Sequence, residues 1–372
     1  MKLGILCTMI NGFGRRGYYN SQEIGLGRAL ARKGHEVMIY KGIDPSEKEE
    51  KVQVEKNLTI WYLPMKHLGA HGFMDCKYLD PQLKALFCFG DQQIFLPHVY
   101  RWCRRRRIPF AAYVGTAHSL DSNFKSKVMN ALFAAGTLRI YKKNPVLAKT
   151  SAAKEELRQL GVPHAVIAPV GLDTAVLKKN IPADEKMRLR KEHGFEADDV
   201  ILCNVSRLSW EKRPLELIDL FLQVKGKKKF KLIIVGNGPL EEELNEKIRK
   251  NGLEKEVKIY PNVPYEKMWE IYEMSDHYLN MNKGEIFGMA IMEAVYYKTS
   301  VAAIRALGPS VTLKDMKGHK LCENDDEMAE WITGPYPSEK DLQESSEKMA
   351  ATFTWDRCAD AFLQASSEKS SR

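Results

Sequence analysis

Nowhere in these 372 residues is there an apolar run approaching the roughly 20 residues that a membrane-spanning helix needs. The opening "MKLGILCTMI" holds one lysine and a short apolar stretch but lacks a signal-peptide cleavage region, so the expected location is the cytoplasm. Cysteine is sparse as well. The seven residues Cys7, Cys76, Cys88, Cys103, Cys203, Cys322 and Cys358 are scattered, odd in number and form no C-x-x-C. That pattern argues against a disulfide framework and a zinc site and fits a reducing compartment. No low-complexity segment is present. What remains is an ordinary globular composition, 44% apolar and 28% charged, at a length that suits two domains.

Charge of one sign is in excess, and unevenly so. Residues 1–180 carry 28 Lys and Arg against 14 Asp and Glu, whereas residues 181–372 carry 29 against 34. Much of the surplus lies in residues 101–149, in "RWCRRRRIPF" and "NFKSKVMNALFAAGTLRIYKKNPVLAK". A basic patch this local points to an anionic partner or to a merely solvated face. The second of those stretches reads as a basic amphipathic helix with Phe124, Val128, Leu132 and Phe133 apolar.

Strand and helix patterns alternate almost throughout. "KLGILC", "HEVMIY", "KALFCF", "PFAAYV" and "PVLAKT" read as strands, with helices in "SQEIGLGRALARKG", around Trp102–Arg107 and in "SAAKEELRQLG", where Ser151 is the expected cap. A second series comes after it: "DVILCNVS", "KFKLIIVG", "EVKIYP", "DHYLNM" and "TSVAAI", with helices from about Pro214, Pro239, Pro264 and Phe287. Continuous apolar strands separated by helices imply parallel sheets covered on both faces. The expectation is an α/β chain of two doubly wound, Rossmann-like domains. Residues 1–172 form one and residues 173–354 the other, and the tail over 355–372 reads as an amphipathic helix after the second series.

"NGFGRRG", just after the first strand, spells G-x-G-x-x-G with Gly12, Gly14 and Gly17. A dinucleotide site also needs an acid at the end of the second strand. Here that strand ends in Tyr40-Lys41, and the next acid, Asp44, comes after another glycine. A phosphate loop therefore competes with the NAD(P) oxidoreductase reading, and simple turn punctuation with both.

Three features of residues 200–300 converge. "SRLSWEKRP" places Arg207 and Lys212 after a strand, where a guanidinium and an ammonium suit a diphosphate. Both are also common in plain surface loops. "VGNGP" is a turn at the same sheet edge, equally adequate as pure structure. "KGEIFGMAIMEAV" sets Glu285 and Glu293 eight residues apart across a helix start. The free amides of Phe287, Gly288 and Met289 could meet an anion or sugar oxygens. Glu285 suits a sugar and Glu293 a ribose, because carboxylates accept two hydrogen bonds from vicinal hydroxyls.

Together these blocks resemble the signatures of retaining glycosyltransferases of the GT-B fold, family 4. "GFGRRGYYNSQEIGLGRALARKGHEV", "YVGTAHSL", "VGLDTAVL" and "FTWDRCADAF" are similar to that family's glycine loop, active-site histidine, domain entry and last helix. The resemblance implies a GT-B architecture of two domains facing a cleft, the last helix crossing back to the first. It implies a nucleotide-diphospho-sugar donor, a UDP-sugar, with Arg207, Lys212 and Gly14 on the diphosphate and Glu293 on the ribose. Glu285 and the amides of Phe287, Gly288 and Met289 would hold the donor sugar, with His118 beside it. Attack would come from the front face, the leaving phosphate taking the acceptor proton, with no metal and no cofactor. The acceptor implied is lipid-linked or a polysaccharide of the cell envelope, with peripheral docking on an anionic membrane through residues 101–149. No nucleic-acid module is present. A non-catalytic sugar-nucleotide binder is the remaining alternative.

Two departures from that family bear on the donor sugar. "YYKTSV" stands where a small-residue turn with glycine is common, and "RALGPSV" has one glycine where a pair is common. Metal ligation is poorly supported: His67, His71 and Asp75 are spaced as on a helix, but Gly69 and Gly72 interrupt it.

Overall fold

The computed structural model describes residues 1–10, 22–117 and 124–370, which leaves the glycine stretch with Gly12, Gly14 and Gly17, and His118, outside the described residues. The chain divides into one compact unit of residues 1–10, 22–173 and 354–370 and another of residues 174–353.

In the first unit the strands are β1 (Lys2–Cys7), β2 (Glu36–Ile43), β3 (Glu50–Glu55), β4 (Leu58–Pro64), β5 (His67–Leu68), β6 (His71–Gly72), β7 (Ala85–Phe89), β8 (Phe110–Val114), β9 (Val146–Ala148) and β10 (Val166–Ile167). Eight of them form a sheet ordered β10-β9-β8-β7-β1-β2-β4-β3, parallel except for β3 on β4. The central strands are apolar runs because both of their faces are covered; every residue of β8 is buried. The β3–β4 pair is absent from the expected strands. "EKVQVE" is charged because β3 is an edge, with its residues exposed or half-buried.

Two local expectations are corrected. Helix Ser151–Gln159 is capped by Thr150, whose hydroxyl accepts the Ala153 amide at 3.0 Å; Ser151 is already its first residue. The stretch read as one amphipathic helix is two, Phe124–Ala135 and Thr137–Tyr141, parted at Gly136. Its four apolar residues do not share a face. Phe133 is buried, while Phe124, Val128 and Leu132 are exposed.

The last helix, Trp355–Ser370, belongs to the first unit. Trp355 is fully buried against Gly25, and Phe362 packs on Phe87 and Tyr113 with ring centroids 4.6 and 5.3 Å away. Arg32 reaches Asp356 at 3.0 Å and Lys33 reaches Asp360 at 2.7 Å.

The second unit holds β11 (Val200–Val205), β12 (Phe230–Val235), β13 (Val257–Tyr260), β14 (His277–Asn280), β15 (Ser300–Ile304) and β16 (Lys320–Cys322). They form one parallel sheet ordered β13-β12-β11-β14-β15-β16. The chain order reverses between β11 and β14. The helices that come after those strands lie on opposite faces, which opens a crevice at their C-terminal ends. The loops leaving β11 and β14 are therefore delivered to one place.

Candidate functional site

The loop after β11 carries Arg207 and Lys212, and the loop after β14 carries Glu285. The Lys212 Nζ lies 2.8 Å from Glu285 Oε2, and both side chains are about four-fifths buried, 21% and 17% exposed. Asn282 Nδ2 donates to the same oxygen at 3.1 Å. Asn282 is itself fixed, its Oδ1 accepting the Gly284 amide at 2.9 Å and its amide donating to Asn280 Oδ1 at 3.0 Å. Burial pushes the Glu285 carboxyl up, but the Lys212 charge and the hydrogen bonds from Lys212, Asn282 and Asn280 outweigh it and hold the acid below its usual range. Glu285 is thus a carboxylate ready to accept hydroxyl hydrogens. Asn280 and Asn282 are the residues that the motif reading missed. Their signal was "LNMN", two turn-forming amides spaced to brace the loop ahead of an acid.

Arg207 is not drawn into that contact. It pairs with Glu211 at 2.8 Å, both side chains about half exposed, a weak pair that an incoming anion can displace. The "VGNGP" turn gains a definite role as a brace. Leu208 donates its amide to Asn237 O at 2.9 Å, and Leu240 donates to Leu208 O at 3.0 Å. Side chains on Gly236 and Gly238 would strike the carbonyl oxygens of Ser206 and Leu208 at 1.9 and 2.4 Å, so only glycines let this turn support the Arg207 loop.

The third block forms helix Met289–Tyr296 with Gly288 as its N-cap, so the helix starts two residues later than expected. Phe287 is buried edge-on against Phe353, centroids 6.1 Å apart, which leaves its backbone rather than its ring to serve the site. The first amides of the helix have no partner within it. Glu293 lies mid-helix, only 5% exposed, and accepts the Tyr272 hydroxyl at 2.8 Å. It shares no contact with Glu285 among the described residues.

Both departures resolve locally. Lys298 takes the left-handed turn, φ 60°, so the chain makes it without glycine. Leu307, the neighbour of Gly308, opens helix Leu307–Thr312 without a positive φ and needs no glycine, whereas a side chain at Gly308 would lie 2.5 Å from the Phe287 backbone. Gly308 donates its amide to Glu285 O at 2.8 Å, which anchors the acid's own backbone.

The first unit carries a second polar cluster at the C-terminal ends of its strands. Lys149 reaches Asp91 at 3.4 Å, Gly115 donates its amide to Asp91 at 2.6 Å, and Thr8 donates to Gln93 at 3.1 Å. Lys149 is therefore buried and does not belong to the exposed basic patch. The strand end that would carry a ribose-binding acid carries Lys41 instead, buried and paired with Glu23. His67 and His71 sit on the short β5–β6 hairpin rather than on a helix, and the His67 ring faces Gly69 O at 2.7 Å. Among the described residues, the carboxylates that do converge are Glu196, Asp198 and Asp199, and Lys229 pairs with the first two at 3.0 and 2.7 Å. Gly14 and His118 lie outside the described residues.

Residues 185–348 match the family model described as glycosyl transferases group 1. Over 400 residues, covering 97% of this chain and 94% of the relative, the chain is 23% identical to the D-inositol 3-phosphate glycosyltransferase of Xylanimonas cellulosilytica. It is 20% identical to the alpha-monoglucosyldiacylglycerol synthase of Acholeplasma laidlawii, with 73% of each chain covered. Anabaena HepE, solved in complex with UDP, superposes with a TM-score of 0.72 at 15% identity over 99% of this chain and 100% of that one. That likeness shows the fold.

Proposed function

The chain is a glycosyltransferase of the GT-B fold, and we propose that it moves a sugar, with retention, from a UDP-sugar to a lipid-linked or polysaccharide acceptor of the cell envelope. The observation that carries the donor reading is the 2.8 Å contact of Lys212 with Glu285 where the strand order reverses. Arg207 and Lys212 would neutralise the diphosphate as it departs, in a partly buried place where fixed charges act strongly. Glu285 and the amides of Phe287, Gly288 and Met289 would hold the sugar, and Glu293 the ribose. The bond from the anomeric carbon to the phosphate oxygen breaks on the face where the acceptor oxygen attacks. The departing oxygen takes the acceptor's proton, so no carboxylate nucleophile and no metal or cofactor is assigned. His118 and Gly14 are assigned to the donor sugar and the diphosphate.

A thermal-shift panel of nucleotide sugars and NAD(H) tests this. Stabilisation by a UDP-sugar, with donor hydrolysis that Glu285→Ala abolishes, is expected. Stabilisation by NAD(H) alone, or by a UDP-sugar without any turnover, overturns it.

The membrane part of the reading is supported by helix Phe124–Ala135. Phe124, Val128 and Leu132, 83%, 42% and 47% exposed, recur every four residues on one side, and Lys127 beside them is exposed. Exposed Arg139, Lys142 and Lys143 come next. No helix among the described residues is long and apolar enough to cross a membrane. Sedimentation with vesicles rich in anionic lipid at low salt, lost in Phe124→Ser/Leu132→Ser, is the expected result. Protein that stays in the supernatant contradicts it.

A further inference from the structure

Arg213 comes directly after Lys212 and has an unusual backbone, φ 55° and ψ 47°, a region unfavourable to residues with a Cβ. It ends the short turn Trp210–Lys212 and precedes helix Pro214–Val224. Its guanidinium forks onto Asp325, at 3.0 Å from Nη1 and 2.7 Å from Nη2. The same Nη1 donates to Met281 O at 3.4 Å, and Nε donates to Glu216 at 3.3 Å. Met281 immediately precedes Asn282, which braces Glu285, and Asp325 opens helix Asp325–Thr333. One largely buried side chain, 15% exposed, therefore ties together the loop that carries Lys212, the loop that carries Glu285, and the start of a third element.

We infer that Arg213, acting with Asp325, is a positioning residue that sets the separation and orientation of Lys212 and Glu285. The inference rests on the donor reading above. A forked pair is planar and directional, so it fixes the orientation of two backbones, which an ammonium cannot do. The strained backbone at Arg213 persists because these bonds over-determine it. Both loops leave the ends of neighbouring strands, beyond the last paired residues Cys203 and Tyr278. The bond from Nη1 to Met281 O, held in direction by the fork onto Asp325, is the link that keeps their cation and carboxylate in register when an anion competes for Lys212.

The test uses three variants of the full chain. Arg213→Gly keeps the backbone conformation, which glycine adopts freely, and removes the side chain's bonds to Asp325, Met281 and Glu216. Asp325→Asn removes the partner's charge, and Arg213→Lys keeps charge without the fork. Binding of UDP and of ADP is measured by titration calorimetry beside urea unfolding. The wild type is expected to bind at least one of the two. Arg213→Gly and Asp325→Asn are each expected to weaken that nucleotide by about tenfold, with the double variant no weaker than either. Arg213→Lys is expected not to restore it. Variants that unfold more easily yet bind with wild-type affinity show that the fork only holds the fold, and overturn the inference. Losses that multiply in the double variant overturn it too. A wild type that binds neither nucleotide overturns the donor reading, and this one with it.

Discussion

At Glu285 two effects compete: burial favours the neutral acid, while Lys212 and the amides of Asn280 and Asn282 favour the anion and win. Its folded value lies below its unfolded one, so this pairing contributes stability that is complete above about pH 4.3 and fades as pH falls further. Glu285→Gln should therefore lower turnover by about 100-fold across neutral pH, read in a donor-hydrolysis assay, with no rescue at acid pH. The histidines His277 and His319 behave in the opposite chemical sense but with the same direction in pH. Burial drives both down to about 4, and Val301 donates its amide to His319 Nδ1 at 3.0 Å. An unfolded imidazole takes its proton near about pH 6.5, so stability is full above that value and is lost as pH falls toward 4. The thermal midpoint should drop across that window, and His319→Gln should flatten the drop. A slope that is undiminished in the variant, rather than reduced to the share left to His277, opposes the assignment. Glu285, Lys212 and Glu293 were legible as motif positions. The Tyr272 bond to Glu293 was not, because the two residues are 21 apart on separate helices.

Among the elements, helix Phe124–Ala135 shows most plainly what patterning conveys and what it leaves open. Its apolar residues were visible, but two faces are apolar, one turned to the core with Met129 and Phe133 and one exposed. Sequence spacing cannot say which side the core occupies. Phe133→Ala should cost about 3–5 kcal/mol in denaturant unfolding, whereas Phe124→Ala should stay within about 0.5 kcal/mol. Equal losses would mean that the face assignment is wrong. The "VGNGP" turn makes the same point in backbone terms. It was readable as a turn, but the approach of Gly238 to Leu208 O depends on how β11 and β12 lie side by side. The helix at Trp102–Arg107 in fact runs Leu96–Arg105, because Pro97 in its first turn and the buried Leu96 and Val99 begin it earlier than its arginines suggest.

For the molecule as a whole, the C-terminal helix makes the first unit depend on residues remote in sequence. Trp355, Cys358, Ala359 and Phe362 are all fully buried. Trp355→Ala should destabilise the first unit by about 3–5 kcal/mol. Limited proteolysis should then cleave within residues 22–173 before it touches residues 174–353. Cleavage that begins in the second unit would contradict that dependence.

Residue type at short spacing was enough to read the alternation of apolar strands and helices, the two series of them, and the blocks around Lys212, Glu285 and Glu293. Side-chain partners were another matter. That Lys212 meets Glu285 while Arg207 faces Glu211, that Lys149 is buried on Asp91, and that Arg213 bridges two loops came from the fold alone. The contacts at the crevice depend on which strands become neighbours at the sheet's reversal, and their partners lie 73 and 68 residues apart in the chain.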